Sequence, residues 1–412
     1  MMERSHAASI PGTWHVFTGE FPPQRGGVAD YTRILAERLT ELGDSVRIYA
    51  PRCEDGSGEV AGIPVWRGAG HYSLADLRSL DKELAKYESP RKLLVQWVPH
   101  GFGYLSMNVP FCLWLLKRSL LDRDRIEVMF HEPFLPFRRN NFRQSAAALV
   151  HRFMTVNLLW AASKVWVSIP AWEQALRPFS LLKQLNFGWL PVPANLDTLD
   201  DPASIAEVRS RYAERDTLLI GHFGTYGSPV SDLLTPLVRK VLCESSRHRL
   251  VLIGRGGQSY REGLISETPT VGERVFATGG LPDAELSAHL SACDIMLQPY
   301  PDGVSTRRGS VMACLAHGVP VVTNEGFLSE PIWRDTQSVA LARSADPAAL
   351  FESFSSVARS AALRQRLRLA ARQAYNDFFD VRHTVAALRG SGITARADVH
   401  PEASKLRSST NR

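Results

Sequence analysis

Residues 299–323 read PYPDGVSTRRGSVMACLAHGVPVVT, and the parsing of that stretch decides the fold. A loop of small and polar residues, Asp302, Gly303, Val304, Ser305 and Thr306, leads through Arg307 and Arg308 into Gly309, Ser310 and a helix-like run from Val311 to Ala316. His317 and Gly318 stop that run. Val319, Pro320, Val321 and Val322 then have the character of a short buried strand. A loop that enters a helix through small residues presents free backbone N–H groups and the positive end of the helix dipole to an anion. Arginines beside it add two-pronged donors suited to phosphate. The same pattern also serves as an ordinary loop–helix–strand unit whose arginines lie on a solvated face.

The alternation repeats on either side. Residues 218–224 form a strand that ends at Gly224, followed by a loop containing Thr225. A helix over 231–243 leads to a strand over 249–254 and the loop Arg255, Gly256, Gly257. Strands over 275–279 and 294–299 flank a helix with Pro282, Asp283 and Glu285 at its start, and deliver the chain into the quoted stretch. The first half follows the same plan. A strand over 14–18, a loop with Gly26 and Gly27, a helix over 28–42 closed by Gly43, and a strand over 46–50 form a βαβ unit. The fold class is therefore α/β, two Rossmann-like, doubly wound domains.

The carboxyl ends of parallel strands face the ligand crevice of such a sheet. Strands over 93–98 and 126–130 end at His100 and at His131 and Glu132, which makes both histidines candidates for substrate contact. Glu132 is either a carboxylate at the reacting centre or a cap. Arg138 and Arg139 begin a basic stretch that either meets an anionic acceptor or is a solvated loop. Gly26 and Gly27 either admit a ligand close to the backbone or make a plain turn.

At 412 residues the chain is long enough for two cores. The expected domains are 12–195 and 216–385, joined by a polar linker at 196–215, with the last helix free to return to the first domain. Residues 390–412 are Ser/Arg-rich and are expected to be a disordered tail. The arginines at 364, 366, 368 and 372 are expected on a solvated helix face. A net charge of +6 without a basic stripe excludes a nucleic-acid binder. Five scattered cysteines without a CxxC pair argue against zinc and fit a reducing, cytoplasmic setting. No apolar stretch approaches the ~20 residues of a membrane span. The most membrane-like segment, 109–121, is either a buried amphipathic helix or a peripheral contact at the inner membrane face.

Taken together, Phe21-Pro22-Pro23 with Gly26 and Gly27, His131, Leu190-Pro191-Val192-Pro193, the 252–257 loop and Ala316-His317-Gly318-Val319-Pro320 resemble the family-4 retaining glycosyltransferases of the GT-B fold, over roughly residues 12–385. That resemblance implies two domains facing each other across a cleft. It implies a nucleoside-diphosphate sugar as co-substrate, no cofactor or bound metal, and an acceptor that is a glycan, a lipid-linked intermediate or a small molecule. It implicates His131 beside the transferred sugar. Gly26, Gly27, Gly224, Thr225, Arg255 and Ser305, Thr306, Arg307, Arg308, Gly309 and Ser310 fall on the donor side. His100, Glu132, Arg138 and Arg139 fall on the acceptor side. The family's two glutamates, eight positions apart, fall on Ser305 and Ala313, neither of which is a carboxylate. Arg307 and Arg308 are expected to supply positive charge to the diphosphate. The alternative is a catalytically inactive GT-B-like protein that binds a glycan or a protein partner; a sugar-nucleotide epimerase would call for a crevice richer in carboxylates.

Overall fold

A computed structural model of the chain describes residues 11–390 apart from residues 55, 104, 182 and 215. The chain forms two compact units. Of the described residues, one unit comprises those up to Pro191 together with 382–390, and the other is Val192–Val381.

The first unit contains β1 (Thr13–Thr18), α1 (Gly27–Glu41), β2 (Ser45–Pro51), β3 (Glu59–Val60), β4 (Ile63–Ala69), α2 (Leu74–Leu84), β5 (Lys92–Trp97), α3 (Val109–Leu120), β6 (Arg125–Phe130), α4 (Phe142–Ala161), β7 (Lys164–Val167), α5 (Pro170–Leu176) and β8 (Phe187–Trp189). The strand order is β3-β4-β2-β1-β5-β6-β7-β8, parallel except for the short β3 against β4. Leu93, Leu94 and Val95 in β5, and Val128, Met129 and Phe130 in β6, are continuous apolar runs because helices cover both faces of the sheet. The order reverses direction between β1 and β5, and that switch point is where the loops after the strands part. Gly19 and Gly101 meet there so closely that a Cβ on Gly19 would stand 2.2 Å from the Gly101 carbonyl oxygen.

Stacked aromatic rings fill the core, with Phe17 on Tyr49, Trp97 on Phe102, and Phe102 on Phe111. Segment 109–121 becomes α3, which buries Phe111, Cys112, Trp114 and Leu115. Its Arg118 is buried as well. Nε and Nη2 donate to Asp124 Oδ2 at 2.7 and 2.5 Å, and Nη1 donates to Asp81 Oδ1 at 2.9 Å. Capping fixes the helix entries: Ser73 and Asp76 form a capping box at α2, and the Asn108 side chain accepts from Phe111 N at α3.

The second unit runs α6 (Pro202–Tyr212), β9 (Leu218–Phe223), α7 (Ser228–Glu244), β10 (His248–Ile253), α8 (Gly257–Glu267), β11 (Val275–Gly279), α9 (Asp283–Ala292), β12 (Ile295–Leu297), α10 (Gly309–Ala316), β13 (Val321–Asn324), α11 (Ile332–Thr336), β14 (Ala340–Ala342), α12 (Pro347–Arg359) and α13 (Ala361–Ala374). Its parallel sheet has the order β11-β10-β9-β12-β13-β14, the Rossmann order, with its switch point between β9 and β12. Leu234, Leu237, Leu350 and Phe354 pack one face, and Leu290, Val311, Leu315 and Ala371 pack the other.

Residues 196–215, read as a linker in the sequence, carry α6. Its Val208 packs with Ala194 and Leu196 in the core of the second unit. The final helix, α14 (Val381–Leu388), lies against the first unit. Lys92 Nζ donates to Leu388 O at 3.1 Å, and Arg389 Nε is 3.4 Å from Asp44 Oδ2. The solvated face expected for the α13 arginines holds for Arg366 and Arg372, which are exposed, and is corrected for the other two. Arg364 and Arg368 are half-buried, with Arg364 donating to Val357 O and Ala358 O and Arg368 to Cys293 O, because long guanidinium side chains satisfy carbonyls left open where other helices end. The tail expected over 390–412 lies outside the described residues from 391 onward. Among the described residues no helix is long and apolar enough to cross a membrane.

Candidate functional site

At the second switch point, β9 is followed by Gly224 and β10 by Gly254, both with positive φ. A Cβ on Gly254 would stand 2.6 Å from Gly224 O, so the two loops touch backbone to backbone and only glycine fits. The Tyr226 ring packs beneath them, its hydroxyl donating to Ile253 O at 3.2 Å. Across the switch point, Gln298 Nε2 donates to Phe223 O at 2.9 Å, tying the end of β12 to the end of β9.

The 302–310 loop follows. Tyr300 Oη lies 2.9 Å from Ser310 Oγ, and Ser310 Oγ would lie 3.9 Å from a Cβ on Gly224. This brings Gly224 and Ser310 together at the N-terminus of α10, whose cap residue Arg308 makes no side-chain cap. Arg308 also lies over the Tyr300 ring, 4.4 Å from its centroid. Thr225 and Arg255 are exposed on the neighbouring loops.

Arg307 and Arg308 do not stand open as two cations. Both donate to one carboxylate, that of Asp302: Arg307 Nη2 to Oδ2 at 2.5 Å, and Arg308 Nη2 to Oδ1. The trio carries a net charge of +1. Asp302 is only five residues from Arg307, yet the pairing depends on how the loop folds back and has no local sequence signal.

Glu330 is the carboxylate that sequence reasoning missed. It is buried, accepts from Thr306 N at 3.0 Å and Thr306 Oγ1 at 2.7 Å on Oε1, and accepts from Trp333 Nε1 at 2.7 Å on Oε2. Burial raises its pKa from the ordinary carboxylate range against those hydrogen bonds. Its part is to hold the loop at Thr306. Ser305 and Ala313, where the resemblance would have glutamates, are both fully buried, and Ser305 Oγ has no partner among the described residues.

In the first unit, His131 follows β6 at the carboxyl edge of the sheet and is buried. Its Nε2 lies 2.9 Å from Gln96 Oε1 on the adjacent β5, and the Tyr31 ring meets it edge-on at 4.8 Å. Trp172 Nε1 donates to the His131 carbonyl at 2.8 Å, fixing the backbone. Burial lowers the imidazole pKa to about 3, so the ring is neutral at physiological pH. With Gln96 Oε1 as acceptor, its single proton sits on Nε2. Gln96 was not singled out in the sequence, since a glutamine inside an apolar strand gives no sign of which way it points.

At the glycine pair the start of α1 is capped by a side chain of the same loop. Glu20 Oε1 accepts from Val28 N at 3.0 Å and Ala29 N at 3.1 Å, placing the chain's own carboxylate on the helix N-terminus. A Cβ on Gly26 would stand 2.1 Å from that oxygen, whereas one on Gly27 would meet nothing within 4 Å. Gly26 is therefore needed for the Glu20 cap. His100, Glu132, Arg138 and Arg139 are all exposed on the loops after β5 and β6. Among the described residues no group of three or more His, Cys, Asp or Glu side chains is placed to hold a metal ion.

Residues 216–360 match the family model described as glycosyl transferases group 1. No curated protein matches the chain. Similar solved structures include a sucrose-phosphate synthase from Thermosynechococcus elongatus, 16% identical with a TM-score of 0.70 over 92% of this chain and 98% of that one. Anabaena HepE in complex with UDP is 16% identical, with a TM-score of 0.67 over 93% and 99%. WaaG, a glycosyltransferase involved in lipopolysaccharide biosynthesis, is 15% identical, with a TM-score of 0.61 over 93% and 100%. The chain thus has the GT-B fold, and the segment that matches glycosyl transferases group 1 is the one carrying the second switch point.

Proposed function

We propose that this protein transfers a sugar from a nucleoside-diphosphate sugar to an acceptor, with retention of configuration and without a metal. The observation that carries the reading is the meeting of Gly224, Gly254 and Ser310 at a Rossmann switch point inside the matched segment 216–360. Backbone N–H groups at the start of α10 and the net positive charge of Asp302, Arg307 and Arg308 suit the negative charge that grows on a departing diphosphate. Retention follows if the acceptor attacks the face the diphosphate leaves. His131 offers a neutral ring to a sugar hydroxyl, held by Gln96. The acceptor is a glycan, a lipid-linked intermediate or a small molecule, met by the exposed loops bearing His100, Glu132, Arg138 and Arg139.

The test is release of nucleoside diphosphate from a panel of UDP-, GDP-, TDP- and ADP-sugars, with His131→Ala alongside. Turnover with one base family is expected, falling about 10²–10³-fold in the variant. A second reading, a non-catalytic glycan or partner binder, draws on the burial of Ser305 and Ala313 and on the pairing of both arginines with Asp302. A folded protein whose melting temperature no nucleotide sugar or diphosphate raises, and which releases no diphosphate from any sugar, would favour it.

A further inference from the structure

The outer face of α4 is unlike that of an ordinary surface helix. Phe142 is 86% exposed, Leu149 65%, Phe153 52% and Trp160 44%. Their spacings of seven, four and seven place them on one side of the helix, along about 27 Å at 1.5 Å per residue. The opposite side is already buried through Ala148, Met154 and Leu158. A helix on a soluble protein normally turns polar residues outward once its core face is covered, and this one is apolar on both faces. The adjacent α3 adds exposed Leu113 and Leu120. The crossovers from β5 to β6 and from β6 to β7 run in the same direction, so α3 and α4 lie on the same side of the sheet.

The segment that carries this face is basic between Glu132 and Glu173. Residues 133–172 contain no Asp or Glu and five basic residues, Arg138, Arg139, Arg143, Arg152 and Lys164. The first three are exposed beside the N-terminal end of α4. Arg152 lies 3.9 Å from the centroid of the exposed Phe137 ring. We infer that α4 and its arginine-rich approach form a docking surface for an anionic lipid bilayer, with the helix lying in the interface plane. Aromatic side chains along an apolar stripe suit the headgroup boundary, and arginines at one end suit acidic headgroups. Pairing with a second copy would set this acid-free, basic segment against itself, which like charges oppose. Segment 109–121, the membrane candidate in the sequence, contributes only its outer leucines, because its core face is buried.

The experiment is co-sedimentation of the full chain with vesicles of 30% phosphatidylglycerol in phosphatidylcholine, against pure phosphatidylcholine. Binding to the anionic vesicles alone is expected, weakening as salt rises. Phe142→Ser with Phe153→Ser is expected to lower partitioning about tenfold or more, and Arg138→Gln, Arg139→Gln and Arg143→Gln about fivefold each. All five side chains are exposed, and an unchanged melting temperature in both sets verifies that the fold is retained. Absence of anionic-vesicle binding at low salt would overturn the inference. So would binding unaffected by both sets, or a dimer in sedimentation equilibrium that the phenylalanine variant splits while vesicles are not bound.

Discussion

Asp302→Asn separates the two roles that Arg307 and Arg308 can play. In the folded protein one carboxylate neutralises half of their combined charge, and the substitution raises the local charge from +1 to +2. For a doubly charged diphosphate at about 6 Å, the Coulomb change is about 5.5 kcal/mol at an effective dielectric of 20 and about 1.4 kcal/mol in bulk water. Solvent and salt at this partly open loop bring the figure towards the lower end, about 1–2 kcal/mol, or roughly tenfold in affinity. The same change leaves one acceptor oxygen for the two guanidinium groups and sets an NH2 donor against the other, and is expected to cost about 1–3 kcal/mol of stability. Affinity and stability therefore move in opposite directions. Isothermal titration with the nucleoside diphosphate that binds best, together with chemical denaturation, reads both. Arg307→Gln with Arg308→Gln should weaken the same binding about tenfold or more. Unchanged affinity in both variants would refute a diphosphate role for the arginines and leave them as struts for the 302–310 loop.

Three further outcomes follow from burial and hydrogen bonding. Asp124→Ala strands Arg118 without its main partner in the core, and denaturant titration should show a loss of about 3–5 kcal/mol. Gly26→Ala displaces the Glu20 carboxylate from the start of α1 and should cost about 1 kcal/mol, while Gly27→Ala, facing open space, should be tolerated; equal effects by thermal melting would contradict the Glu20 cap. Burial lowers the pKa of His131 to about 3, and of His15 and His222 to about 4, from 6.5. The unfolded chain takes up these protons first, so the stability due to neutral histidines is whole above pH 6.5 and falls as pH drops towards the folded values. The slope is about 1.4 kcal/mol per pH unit for each histidine, and His222→Gln should reduce it by one proton in denaturation curves between pH 7 and 5.

The sequence by itself determined the two doubly wound halves. Runs such as Leu93-Leu94-Val95 and the glycines that end strands are local signals, and a parallel sheet covered on both faces writes its strands as unbroken apolar segments. It also placed His131 and Gly224 at strand ends, because alternation of strand and helix fixes which loops lie on the carboxyl side. β4 went unassigned because Pro64 interrupts its strand pattern, and α2 went unassigned although Leu77, Leu80 and Leu84 recur at helical spacing behind the Ser73–Asp76 capping box. The tertiary structure decided who holds whom. Asp302 claims both arginines, Glu20 occupies the helix start that the glycine pair opens, Glu330 grips Thr306 from 24 residues away, and Gln96 seats His131 from the neighbouring strand. It also showed which side of α4 stays uncovered. Side-chain partnership is set by where loops and neighbouring strands bring groups within about 3 Å, a distance scale at which sequence separation carries no information.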